Sequence, residues 1–323
     1  MPGSRLFLRL ALLVALAVAT ALLSLAWGSG GLDFRGSLEG LAGQGDVTAQ
    51  VVVREIRLPR VLAAFGVGSV LALAGVLLQA LFRNPLADPY VLGVSGGAAV
   101  GALLAMAAGA GLAGTQGGAV LGALAAVLAV FVLGQGGGTA RLLLTGVVIA
   151  SATGAFVSVL LAVADGGQLR GMVFWLAGDL GWASRPLPSV AAALLALLVA
   201  VLLGRPLNVL ASGELRARSV GLDVDLWRTA IFAGCAALTA TAVVNAGTIG
   251  FVGLVTPHAA RLLLRTSDHR LVGPAAALLG GTLLAAADLV ARTIAAPRQL
   301  PVGAIMALVG APLFIVLLRR RMA

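Results

Sequence analysis

The 52 positions from 89 to 140 carry no charged side chain. Shorter charge-free runs cover 10–32, 61–82, 142–164, 186–204, 229–257 and 299–318. A helix needs about 20 apolar residues to cross the hydrocarbon core of a bilayer, and a run of 52 supplies two such helices. Only 11% of the residues are charged and 60% are hydrophobic, with mean hydropathy +1.07. A soluble domain carries roughly 25% charged residues. The pattern predicts an all-α polytopic membrane protein in which residues 1–323 form a single transmembrane domain.

The net charge is +10, and all 22 basic residues are arginine. They cluster in short segments between the apolar runs, where positive charge sets topology. The absence of lysine excludes a P-loop ATPase, because that motif needs its lysine on the phosphates. Any ATP hydrolysis must therefore occur in another chain. A single cysteine, Cys235, excludes an intrachain disulfide, and two histidines, His258 and His269, are too few for a histidine-based metal site. No cofactor or metal is expected.

In chain order, a retained first helix is expected over 6–27, longer than the apolar core of a signal peptide. A polar external loop follows at 28–56, then a second helix over 59–81. An elbow with two prolines, Arg83–Pro89, cannot continue that helix. Two helices occupy 89–140, with Gly114–Gly118 as their turn and an end near Gly134. The fifth spans 142–163. The segment 169–182 is too short to cross and reads as a re-entrant or interfacial half-helix, with Trp175 and Trp182 at the interface. The sixth helix covers 187–204, and the charged loop 205–228 contains a short amphipathic helix closed by Gly221. The remaining four are expected over 229–244, 249–264, from about 271 to Arg292, and over 301–318. Ten spans put both termini in the cytoplasm. Internal segments then hold 14 arginines against eight outside. Glycines at 93, 97 and 101 and at 114, 118 and 122 mark small faces for close helix packing.

Three motifs stand in order. The first is Arg57-Leu58-Pro59-Arg60, followed by Arg83-Asn84-Pro85-Leu86-Ala87-Asp88-Pro89 and Leu92-Gly93-Val94-Ser95-Gly96-Gly97-Ala98. The second is Gly247-Thr248-Ile249-Gly250-Phe251-Val252-Gly253-Leu254-Val255-Thr256-Pro257-His258. The third runs from Leu300-Pro301-Val302-Gly303-Ala304 to Gly310-Ala311-Pro312. Together they resemble the FecCD-type permeases of ABC importers for cobalamin, haem and ferric siderophores, over nearly the whole chain.

That resemblance implies a type II ABC importer permease fold in the bacterial cytoplasmic (inner) membrane. It implies partners as well: a second permease chain, two ATPase subunits, a substrate-binding protein and a metal-chelate substrate. It places docking of the binding protein's carboxylates on Arg57, Arg60 and Arg292, since guanidinium pairs carboxylate bidentately. The residues alone equally allow Arg57 and Arg60 to pair with Glu55 or lipid phosphate, and Arg292 with Asp288. The resemblance assigns ATPase coupling to Gly213, Glu214, Arg216, Arg218, Gly221 and Leu222, with Leu215, Val220 and Leu222 as the seating face. A solvated loop is the plainer account of those residues. Asn84, Leu86 and Thr139 match a cytoplasmic gate, though a helix cap and turn would also use them.

The expected function is import of a bulky metal chelate, first a ferric siderophore, with cobalamin or haem as the alternative. A stand-alone secondary transporter is disfavoured because the spans lack an acidic relay. No nucleophile–base pair points to an enzyme.

Overall fold

The computed structural model describes residues 2–28, 34–44, 46–136, 138–182 and 186–322, with side chains described throughout except at 2–4, 139, 182 and 318–322. All regular structure among them is helical: α1 (Pro2–Ala26), α2 (Phe34–Ala42), α3 (Val47–Val51), α4 (Leu58–Phe82), α5 (Val94–Ala107), α6 (Leu112–Gly134), α7 (Gly138–Val163), α8 (Gly166–Leu176), α9 (Leu187–Leu202), α10 (Gly204–Ala211), α11 (Glu214–Ser219), α12 (Val224–Ala246), α13 (Val252–Leu264), α14 (His269–Thr293) and α15 (Val302–Met322). Six units are long and apolar enough to cross a membrane: α1, the continuous unit Val47–Phe82, α6, α7, α12 and α14. α9 and α10 make a seventh if counted as one span bent by 66°, while α5, α13 and α15 are shorter apolar helices.

The bundle is built around α4. It is apolar on every side, and such a helix is stable only where neighbours cover it all round. Its glycines set the approach. A methyl group at Gly66 would strike Ser189 of α9, one at Gly68 the Gly280 carbonyl of α14, and one at Gly75 the Gly253 carbonyl of α13. Three helices thus meet α4 backbone to backbone. In lipid this close packing replaces the hydrophobic effect as the force between helices. The buried core around α4 runs through Val67, Leu71, Leu73, Val272 and Leu284. A second core joins α5, α6, α8 and α12 through Leu103, Val130, Trp175 and Phe232. By contrast, only 6% of the α7 span is buried, against 78% of the unit containing α4.

Several sequence expectations need correction. Residues 34–57 are largely helical, not an open polar loop: α2 and α3 fold there, and a π-helical stretch, Val52–Arg57, runs from α3 into α4. Val53 and Ala49 are buried, so this segment has an apolar anchor among its charges. The turn between α5 and α6 lies at Ala108–Gly111, with Gly109 at φ +74°, not at Gly114–Gly118. Those later glycines are inside α6, where Gly118 faces Gly101 and Gly122 faces Gly97. Trp175 is buried in the second core and does not sit at an interface, and the Trp182 side chain lies outside the described residues. The loop 205–228 is mostly helical: Leu207 and Leu210 of α10 are buried, which the charge pattern around them hides. His269 and Arg270, expected in a loop, open α14.

Candidate functional site

The two ends of α4 carry the two halves of the site. Its 25 residues span about 37 Å at 1.5 Å per residue.

At the first end, Arg57, Arg60 and Arg292 come together, and all three are buried. Arg57 Nη1 donates to the Leu25 and Ala26 carbonyls at 2.7 and 2.9 Å and to Ser37 Oγ at 2.9 Å. Arg292 Nη2 donates to the Ser24 carbonyl. These carbonyls are the last of α1, which have no intrahelical partner, and cations at a helix C-terminus are favourable. Two arginines thus finish α1. Arg60 turns instead to α14: Nε donates to Asp288 Oδ1 and Oδ2 at 2.9 and 3.1 Å, and Nη1 to Gln299 Oε1 at 2.9 Å. Arg292 Nε lies 3.5 Å from Asp288 Oδ2, and Arg60 Nη2 3.8 Å from Asp179 Oδ1. Three guanidinium groups face two carboxylates. Arg60 Nη2 also lies 2.8 Å from Asp288 Oδ1, whereas Arg57 Nη2 and Arg292 Nε have no hydrogen-bond acceptor among the described residues.

So Arg292 does pair with Asp288, one turn earlier on α14. Arg57 has no ion pair with Glu55 among the described residues; carbonyls hold it. Sequence reading missed Ser37, Gln299 and the end of α1 as partners. Nothing in their spacing marks them, because each lies far in the chain from the arginine it holds.

At the other end, α4 stops at the elbow. Arg83 adopts the left-handed conformation, φ 49°, and the Arg83 and Asn84 amides donate back to Ala80 and Gln79. Asn84 Oδ1 accepts from Leu86 N at 2.9 Å, and Asp88 accepts from Tyr90 N at 2.8 Å, capping a short 3₁₀ turn. Asn84 therefore caps a turn, while Leu86 beside it is exposed. The Thr139 side chain lies outside the described residues, and its backbone belongs to the first turn of α7.

α11 sits beside this elbow. Gly213, at φ +125°, opens it, in a backbone region that disfavours side chains. Gly221, at φ +82°, closes it, with Gly221 N donating to Arg218 and Leu222 N to Ala217, the glycine cap expected from the sequence. Glu214 Oε1 accepts from Arg218 at 3.0 Å and Arg228 at 3.3 Å. Asp225 accepts from the same two arginines at 2.9 and 2.7 Å. The two carboxylates, Asp225 foremost, hold the Arg218 guanidinium above its ordinary value. These charges fix α11 to α12. Leu215 is left 88% exposed and Val220 65%, while Leu222 packs into the second core. Arg216 also faces outward.

Behind α11, Asn208 of α10 joins α14: Nδ2 donates to Asp268 Oδ1 at 2.9 Å, and Oδ1 accepts from His269 N at 2.9 Å and from the ring Nδ1 at 2.6 Å. Arg270, then Asn208, holds the Asp268 carboxyl far below the usual carboxylate range.

The transport-family model described as the FecCD transport family matches residues 15–320. The chain belongs to the FecCD transport family. A FecCD permease is a transport subunit of the cytoplasmic membrane and not an enzyme. This FecCD chain is 46% identical over 285 residues to the cobalamin import system permease protein BtuC of Halobacterium salinarum, covering 85% of this chain and 75% of that one. It is 38% identical over 276 residues to the vitamin B12 import system permease protein BtuC of Klebsiella pneumoniae, covering 84% and 83%. Among solved structures, an inward-facing metal-chelate type ABC transporter superposes with TM-score 0.85 at 34% identity, covering 95% of this chain and 97% of that one.

Proposed function

We propose that this FecCD permease imports cobalamin. The observation carrying the proposal is the 46% identity over 285 residues to a cobalamin import permease. The ferric siderophore expected from the sequence becomes the second reading, supported by the metal-chelate type transporter at TM-score 0.85. Ten spans with both termini in the cytoplasm fit the positions of the apolar helices and put α11 inside.

The working unit in this proposal is two permease chains, two ATPase subunits and a substrate-binding protein. The bare surface of α7 suits a second permease chain. The uncovered Leu215 and Val220 suit a groove on the ATPase, with α10 and α12 carrying its movement into the bundle. Gly213 and Gly221 give α11 its two sharp exits. Asn84, Leu86 and Thr139 form the inner gate of this scheme. Arg57, Arg60 and Arg292 supply positive charge for docking an acidic binding protein. The unpartnered Arg57 Nη2 and Arg292 Nε and the excess of cations over carboxylates support that role. Their burial means that a docking carboxylate feels their field, or draws a guanidinium outward, before any direct contact forms.

Uptake decides the substrate. Proteoliposomes holding the permease, its cognate ATPase and binding protein are offered radiolabelled cobalamin, haem and several ferric siderophores. ATP-dependent cobalamin uptake that siderophores do not compete is the expected result. Iron uptake competed by one siderophore would replace the substrate, and uptake without the ATPase would overturn the ABC mechanism.

A further inference from the structure

A cavity of about 500 Å³ opens at the α11 end of the bundle, between the ends of α4 and α13 and the start of α14. Its polar wall includes Gln79, Arg83, His258, Arg261, Arg265 and His269, and no carboxylate among the described residues lines it. The transport scheme above uses none of its basic groups.

The groups differ in how they are held. Gln79 is buried and anchored, its Nε2 donating to the Gly253 and Leu254 carbonyls and its Oε1 accepting from Arg261 Nη1 at 2.7 Å. Arg261 is thereby oriented by α4. Arg83 and Arg265 are the left-handed caps of α4 and α13, and neither forms an ion pair among the described residues. His269 is 4% exposed, and its Nε2 has no hydrogen-bond partner among the described residues. Its Nδ1 faces the Asn208 carbonyl oxygen, so Nδ1 carries the hydrogen. In the neutral ring Nε2 is then an acceptor, and the arginines supply the donors of this cavity.

We propose that this cavity binds a phosphate-type oxyanion. Three arginines line it, one of them already oriented by Gln79. The start of α14, with the positive end of its dipole, also opens onto the cavity. The C-terminal ends of α4 and α13 oppose an anion, but partial charges of about one half each are smaller than the three full charges of the arginines. Guanidinium is the group best matched to phosphate oxygens. Leu262 lines the rim and Leu263 beside it is exposed, which suits the acyl chains of a lipid whose headgroup enters. Basic pockets between membrane helices take anionic headgroups in this way. A soluble phosphate offers the same oxygens without the chains.

Native mass spectrometry of the full chain in neutral detergent tests this, with phosphatidylglycerol and phosphatidylcholine as probes. Inorganic pyrophosphate is tested in parallel by thermal shift. Arg83→Asn and Arg265→Asn keep a residue that tolerates the left-handed conformation, and Arg298→Asn removes an exposed arginine away from the cavity. Selective phosphatidylglycerol retention, weakened about fivefold by either cavity variant and unchanged in Arg298→Asn, is the expected result and assigns a lipid headgroup. Stabilisation by pyrophosphate with the same variant pattern assigns a soluble oxyanion. If neither probe binds, or all three variants weaken binding alike, the proposal is wrong. Equal melting temperatures for the variants without probe separate lost binding from lost folding, and either cavity variant alone suffices.

Discussion

Asp288 is the shared counter-ion of Arg60 and Arg292, reached from α4 by the first and from one turn further along α14 by the second. Its side chain is 2% exposed. Replacing it with asparagine keeps the shape and removes the charge, leaving two buried guanidinium groups without their anion. Breaking a buried pair by removing one partner costs about 3–5 kcal/mol. Asp288→Asn should therefore lower the melting temperature in nanodiscs by several degrees or prevent folding. Asp288→Asn with Arg60→Gln should recover part of the loss. An unchanged melting temperature would show that Gln299 and the end of α1 suffice for both arginines.

The glycine contacts of α4 make a graded prediction. A methyl group at Gly75 meets the Gly253 backbone, whereas one at Gly117 of α6 meets nothing within 4 Å. Gly75→Ala should cost about 1–3 kcal/mol through forced backbone shifts. Gly117→Ala should be neutral or stabilising by a few tenths of a kcal/mol, as expected for alanine in a helix. Thermal unfolding of both variants in one detergent gives the comparison.

Asp268 should confer a pH dependence. Its carboxyl is depressed chiefly by Arg270, with Asn208 second. A group depressed on folding contributes stability that is complete above its unfolded value, about 3.9. That contribution disappears as the pH falls from there toward the folded value. The melting temperature of the parent chain should fall more steeply below about pH 4 than that of Asp268→Asn. Parallel curves would mean that the Asp268–Arg270 pair adds nothing to stability.

Leu215→Asp should separate folding from coupling. At 88% exposure the change lies within about 0.5 kcal/mol for stability. In the proposed complex it puts an unpaired charge into the ATPase groove. Permease-stimulated ATP hydrolysis should fall about tenfold or more, on the scale of a hot-spot residue. Hydrolysis at the parental rate would move the contact elsewhere, with Val220 and Arg216 next to be changed.

The long apolar helices are legible in the sequence because length and lack of charge are local properties. The elbow after Phe82 and the Gly221 cap were legible for the same reason: proline, asparagine and glycine act on their own backbone. The α5–α6 turn was misplaced because glycine carries two meanings. Gly109 turns the chain, while Gly118 admits a neighbouring helix, and only the packing tells them apart. The arginine cluster was half legible. The resemblance groups Arg57, Arg60 and Arg292, but the binding of Arg57 and Arg292 to the last carbonyls of α1 is long-range and has no pattern in the chain. Gln79 was passed over inside an apolar run, although a lone amide there implies a buried partner. The Asn208–His269 link is hidden in the sequence because the charges around α10 read as a loop.

One helix joins both halves of the molecule. α14 begins at His269, bonded to the α10 residue Asn208, and near its far end carries Asp288 and Arg292. Its 25 residues make a rod of about 37 Å, pressed directly on the α4 backbone at Gly280. If α10 shifts with α11 and α14 moves as one body, the anion that neutralises Arg60 shifts too, and a mechanical event at one end of the bundle becomes an electrostatic one at the other.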